Sequence, residues 1–193
     1  LNFNLQSTNN VINYCVRNDS TFLFPSSFIY KENDLNKPYS ENMEIDPKNP
    51  YSFSKYLCEQ MCFFYKKNFG LKYNILRLFN VYGPGQKTFF LISSIIDQII
   101  LNNKIVIQDL TPLRDFVFIG DVVDAFELIL QSKITGETIN ICSGESYSVE
   151  EEISKILKIM NINNIEIINK NNVRLNEIKD SIGDNSKALN LIN

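Results

Sequence analysis

Apolar positions in the first part of the chain fall into two long helical patterns separated by a short extended run. Leu5–Val16 reads as a helix, and Thr21–Phe24 is a β-rich run that ends at Pro25-Ser26-Ser27. From Lys31 to Pro50 the chain turns polar and carries Pro38, Pro47 and Pro50, which predicts a long surface loop. Tyr51–Phe69 is helical again and is stopped by Gly70. Its apolar residues Leu57, Met61, Cys62, Phe63 and Phe64 cover more than one face, as in a helix packed on both sides.

Further on, extended and helical patterns alternate. Leu71–Leu78 has strand character, Asn80–Gly85 reads as a loop, Phe89–Asn102 as a helix and Lys104–Ile107 as a strand. After Thr111-Pro112, Arg114–Ile119 is extended, Asp121–Gln131 helical, Glu137–Ile141 a strand and Val149–Met160 a helix. Asn161–Asn172 (NINNIEIINKNN) reads as a flexible loop or as compositional bias. The alternation predicts an α/β fold with a largely parallel sheet. Parallel strands normally sit between neighbours and under helices on both faces. A doubly wound sheet that opens on a helix is therefore expected to lack its first strands.

Composition narrows the function classes. Apolar residues make up 44%, charged residues 21% and the net charge is -3, an ordinary soluble globular profile with no electrostatic case for nucleic acid or an anionic membrane as partner. The apolar stretch Phe89–Ile107 is broken by Ser93, Ser94, Asp97, Gln98, Asn102, Asn103 and Lys104, so no membrane-spanning segment is expected. The chain has no histidine, which excludes Ser-His-Asp triads, Cys-His dyads and His-ligated metals and leaves Tyr, Lys, Asp, Glu or Cys for proton transfer. Cys58 and Cys62 lie four apart with no second close pair to complete a zinc site. With Cys15 and Cys142 they read as buried thiols in a reducing cytoplasm. The first residue is Leu1 and the first methionine Met43, so a natural translation start is not expected at Leu1.

Tyr51 and Lys55 stand at i and i+4 at the start of a helix, on one face. An ammonium group near a phenol favours its anionic form, which suits proton transfer at an alcohol or carbonyl. That spacing recurs by chance in a chain of this composition. Ser26, at a strand end some 25 residues earlier, and Pro50, a preorganised first helical residue, strengthen the catalytic reading over surface decoration.

Five segments, PSSFIYKEN, SENMEIDPKNPYSFSKYLCEQ, ILRLFNVYGPGQ, PLRDFVFIGDVVDAFELIL and GETINICSGESYSVEEE, resemble the NAD-dependent epimerase/dehydratase family in order and approximate spacing. The resemblance covers nearly the whole chain. It implies a Rossmann-like fold, a nucleoside-diphosphate-sugar substrate, NAD or NADP as cofactor, and a catalytic set of Ser26, Tyr51 and Lys55, with Tyr51 as acid/base, Lys55 at the nicotinamide ribose and Ser26 at the sugar oxygen. It also implies substrate contacts at Asn80, Arg114 and Arg174, the last weakened because Asn176 replaces the family's usual Gly. The family's opening Gly-x-x-Gly-x-x-Gly turn does not occur in the 193 residues, so the chain is expected to be N-terminally incomplete.

Where dehydratases of the family resemble one another in a Thr-Asp-Glu set, this chain reads Ser26-Ser27-Phe28, which favours a 4-epimerase or 4-keto-sugar reductase over a 4,6-dehydratase. A truncated, non-catalytic remnant is the alternative from another class. Residues 1–83 are expected to form the end of the Rossmann-like domain and 84–193 a mixed substrate-binding region. A cytoplasmic homodimer pairing Leu5–Val16 and Tyr51–Phe69 is expected.

Overall fold

The computed structural model describes residues 2–33, 37–173 and 178–192. In chain order its elements are α1 (Asn2–Arg17), β1 (Thr21–Ser27), α2 (Pro50–Phe69), β2 (Lys72–Leu78), β3 (Asn80–Tyr82), α3 (Leu91–Asn102), β4 (Lys104–Ile107) and β5 (Leu113–Arg114). They continue with β6 (Phe116–Phe118), α4 (Ile119–Ser132), β7 (Glu137–Ile141), β8 (Tyr147–Ser148), α5 (Val149–Ile159), β9 (Glu166–Asn169), β10 (Asp180–Ser181) and α6 (Ser186–Ile192).

The central sheet runs β1-β2-β7, all parallel, with Ser26 beside Arg77 and Leu78 beside Ile141. Side chains alternate across a strand, so β2 feeds two cores. Tyr73 and Ile75 pack with Ile12 and Cys15 of α1 and Cys58 and Cys62 of α2. Leu76 packs with Val122, Ala125 and Ile129 of α4 and Ala188 of α6. The sheet is thus covered on both faces, as a parallel sheet requires. A third apolar cluster joins Ile95 and Ile99 of α3, Ile105 and Ile107 of β4, and Val149, Ile153 and Ile156 around α5. Elements α4, β7 and α6 return from the second half of the chain to the first sheet.

Three expectations are corrected. Asn80–Tyr82 is a strand, paired in parallel with β6, because the turn punctuation begins only at Gly83. Within Asn161–Asn172, Glu166–Asn169 forms β9 alongside β4; Ile165 packs on the third cluster, so the asparagines had masked a β-branched run. Among its described residues the segment Lys31–Pro50 has no long element but is not all surface. Tyr39 is 1% exposed and bridges Gly183, while Tyr30 bridges Ile45. Phe28 meets Tyr30, Tyr39 and Phe79 edge-on, the geometry aromatic quadrupoles favour.

Gly183 lies where this aromatic cluster meets β7. A Cβ there would sit 2.4 Å from Cys142 Sγ and 2.8 Å from Phe79 Cζ. Gly183→Ala should therefore destabilise the fold by about 1–3 kcal/mol through overpacking, read as a lower urea midpoint with an unchanged slope.

Candidate functional site

Helix α2 begins with a capping box. Asn49 Oδ1 accepts from Ser52 N at 2.9 Å, Ser52 Oγ accepts from Asn49 N at 3.1 Å, and Pro50 occupies the first helical turn. This fixed start sets Tyr51, 56% exposed, in the first turn. One turn later the Lys55 ammonium donates to Pro25 O at 2.7 Å and stands 5.8 Å from the Tyr51 ring centroid and 5.1 Å from that of Phe24.

Burial pulls the Lys55 pKa below the usual lysine value. Between that lowered folded value and the unfolded one the unfolded chain binds more protons, so stability rises with pH across that window, and below it the full cost of burying the charge remains. Lys55→Met should raise the melting temperature at neutral pH and remove that rise, as thermal melts of both proteins at neutral and alkaline pH would register.

Ser26 closes the sequence set from β1. It is 2% exposed, and its hydroxyl donates to Glu59 Oε1 at 2.6 Å. Glu59, fully buried on α2, is gripped by Arg77 of β2 through Nε to Oε1 at 3.0 Å and Nη2 to Oε2 at 2.7 Å. Arg77 Nη1 reaches Tyr30 Oη at 3.0 Å and Glu41 O at 3.2 Å. Burial lowers the Arg77 pKa, but the hydrogen bond and charge of Glu59 more than reverse this and hold it above the usual range. Burial pushes the Tyr30 phenol up to about 12, against the Arg77 guanidinium, so it stays protonated at neutral pH.

Ser26, Ser27, Tyr51, Asn80 and Arg114 line one cavity of about 890 Å³. Lys55 lines instead a smaller cavity of about 180 Å³, together with Pro25, Phe24 and residues of α1. The Asn80 side chain is held by Asp115 O at 3.0 Å, and Arg114 Nη1 donates to Leu113 O at 2.7 Å and Ile178 O at 2.8 Å. Next to Arg114 in the chain, the fully buried Asp115 ties two other chain segments to its own. It accepts from Ser143 N and Oγ, both at 2.8 Å, Gly144 N at 3.0 Å and Gly183 N at 3.1 Å. Burial raises its pKa in spite of these donors. Arg174 lies outside the described residues.

Sequence reasoning did not single out Glu59, Arg77 or Asp115. Their signal was present: Arg77 interrupts the apolar strand Leu71–Leu78, and Glu59 sits between Cys58 and Cys62 on the packed face of its helix. Charges in such positions are seldom buried unless paired. Among the described residues no cluster of three or more His, Cys, Asp or Glu could hold a metal.

Helices on both faces of a parallel sheet, with a Tyr/Lys helix at the carboxyl end of its strands, define a Rossmann-like α/β protein. The chain belongs to the NAD dependent epimerase/dehydratase family, whose model matches residues 1–142. It is 34% identical over 158 residues to the GDP-6-deoxy-D-talose 4-dehydrogenase of Aggregatibacter actinomycetemcomitans, covering 81% of this chain and 53% of that protein. Among solved structures it is similar to UDP-glucuronic acid 4-epimerase from Bacillus cereus in complex with UDP-glucuronic acid and NAD (TM-score 0.86, 32% identity, 98% of this chain and 60% of that one). It is also similar to RMD from Pseudomonas aeruginosa complexed with NADPH (TM-score 0.87, 27% identity, 98% of this chain and 66% of that one). The chain spans about half the length of the curated relatives it matches.

Proposed function

We propose that this chain carries the catalytic set of an enzyme that moves hydride between a nicotinamide cofactor, NAD or NADP, and C4 of a nucleoside-diphosphate sugar, acting as a 4-epimerase or 4-keto-sugar reductase. The observation that carries the reading is that Tyr51, Ser26, Asn80 and Arg114, remote in sequence, open onto one cavity with the Lys55 ammonium beside the Tyr51 ring.

The donor set suits the cofactor. Lys55 gives one of its three protons to Pro25 O, leaving two for a ribose diol at the carboxyl end of the sheet, where ligands of open α/β folds bind. When bound, the nicotinamide supplies the hydride acceptor or donor. Tyr51 takes the proton from the sugar hydroxyl or returns it to the keto oxygen, Lys55 orients the ribose, and Ser26 holds the sugar oxygen. Asn80 and Arg114 face the diphosphate, for which an amide and a guanidinium are suited donors; Arg174 belongs to the same proposal.

Ser26-Ser27-Phe28 offers no carboxyl pair for water loss, which supports epimerisation or reduction over dehydration. Incubation with UDP- and GDP-hexoses and their 4-keto forms separates the two remaining reactions: an epimer with no net cofactor change, or a reduced sugar with one NADPH oxidised per turnover. No detectable NAD or NADP binding in calorimetry and no product from any of them would favour a non-catalytic remnant.

The same proposal includes a homodimer built on α1 and α2, supported by the exposed rings of Phe3, Tyr14, Phe53 and Phe64 on those helices. It includes a cytoplasmic setting, supported by four free thiols. It also includes a boundary near residue 83, supported by the separate core of α3, β4, α5 and β9.

A further inference from the structure

We infer that Glu59, held by Arg77, is a positioning residue that fixes the Ser26 hydroxyl as a hydrogen-bond acceptor toward the cavity, so that the site recognises its sugar through a hydroxyl that donates to Ser26. The inference rests on the reading above, in which Ser26 meets the sugar at C4.

Proton directions in the buried network follow from the groups themselves. A guanidinium only donates and a carboxylate only accepts. Glu59 receives Arg77 Nε and Nη2, and its 2.6 Å contact with Ser26 Oγ must take the single serine proton. What Ser26 presents to the cavity is a lone pair. The same logic runs outward: Tyr30 Oη accepts from Arg77 Nη1 and so gives its own proton to Asn140 Oδ1 at 2.5 Å, while Asn140 Nδ2 donates to Tyr39 O at 2.7 Å. Among the described residues no buried side-chain nitrogen or oxygen is left without a partner, so no member can reverse its direction cheaply.

A substrate consequence follows. In the resting complex the hydroxyl on the carbon to be oxidised points its one proton at Ser26, and that proton turns to the Tyr51 oxygen when it is transferred; binding therefore favours a donor, an alcohol, over a group that only accepts, such as a keto oxygen or fluorine. Tyr51 alone then donates to a keto oxygen. Removing Glu59 leaves the serine proton undirected and the discrimination lost.

The test is calorimetric affinity of the protein for UDP-glucose against UDP-4-deoxy-4-fluoroglucose, and for GDP-mannose against its 4-deoxy-4-fluoro analogue. The native protein should bind the hydroxy sugar about three- to tenfold more tightly. Glu59→Gln, whose amide can donate to Ser26, should bring that ratio near one. Glu59→Asp keeps the charge against Arg77 and withdraws the oxygen by one methylene; it should do the same and carries the test if Glu59→Gln does not fold. Ser26→Ala should abolish the preference and Ser26→Thr retain it, and Glu59→Asp should add nothing in the Ser26→Ala background.

A native preference for the fluoro analogue overturns the inference, as does a preference that survives both Glu59 variants while Ser26→Ala abolishes it; the proposed function then stands. Ser26→Ala with unchanged preference and turnover, or native protein that binds none of the four ligands, removes the reading of the site and the inference with it.

Discussion

Tyr51→Phe should lower kcat by about 10²- to 10⁴-fold while KM for the sugar nucleotide moves by no more than about threefold. The ring stays, so the start of α2 and the place of Lys55 beside it are kept; only the hydroxyl proposed to exchange a proton with the sugar oxygen is lost. Because the chain has no histidine, no imidazole can substitute for it. Steady-state kinetics decide the matter: turnover within a factor of a few of native would remove Tyr51 from the proton path.

Arg77→Met should have the largest effect on stability, about 3–5 kcal/mol. Arg77 is 3% exposed and Glu59 fully buried, so the variant leaves a carboxylate inside the fold with only the Ser26 hydroxyl to solvate it. Against a typical total of roughly 5–15 kcal/mol this loss is severe. Replacing both partners, Arg77→Met with Glu59→Leu, should recover much of it, because the uncompensated charge is then gone. Urea unfolding of the native protein and the two variants checks the order: the single Arg77 variant below the double, and the double below or near native. A single variant as stable as native would mean that the ion pair does not hold β2 to α2.

What could be read in the sequence was what depends on neighbours along the chain. Helix α2 was legible because its apolar positions repeat over five turns and Pro50 and Gly70 mark its ends; Gly70 indeed takes the left-handed φ of 70° that favours glycine. The Tyr51/Lys55 pair was legible for the same reason. Strand β3, three residues long, was hidden because it exists only by pairing with β6 more than thirty residues away, which no local pattern encodes, whereas β6 lies in the run Arg114–Ile119 that did read as extended. Tyr39 is buried because Gly183 comes to it from the far end of the chain. The Glu59–Arg77 pair was visible as two charges in apolar company, but their meeting depends on how α2 packs on β2. The family resemblance reached Ser26 but not the carboxylate that takes its proton.

The most direct measurement is the fate of deuterium placed at C4 of the 4-hydroxy sugar nucleotide, the epimerase's substrate or the reductase's product run in reverse, with the oxidised cofactor. The account predicts that the label appears on the nicotinamide ring during a single turnover by the native protein and does so about 10²- to 10⁴-fold more slowly with Tyr51→Phe. Turnover in which the label never reaches the cofactor, or is lost to water, would contradict hydride transfer at this site.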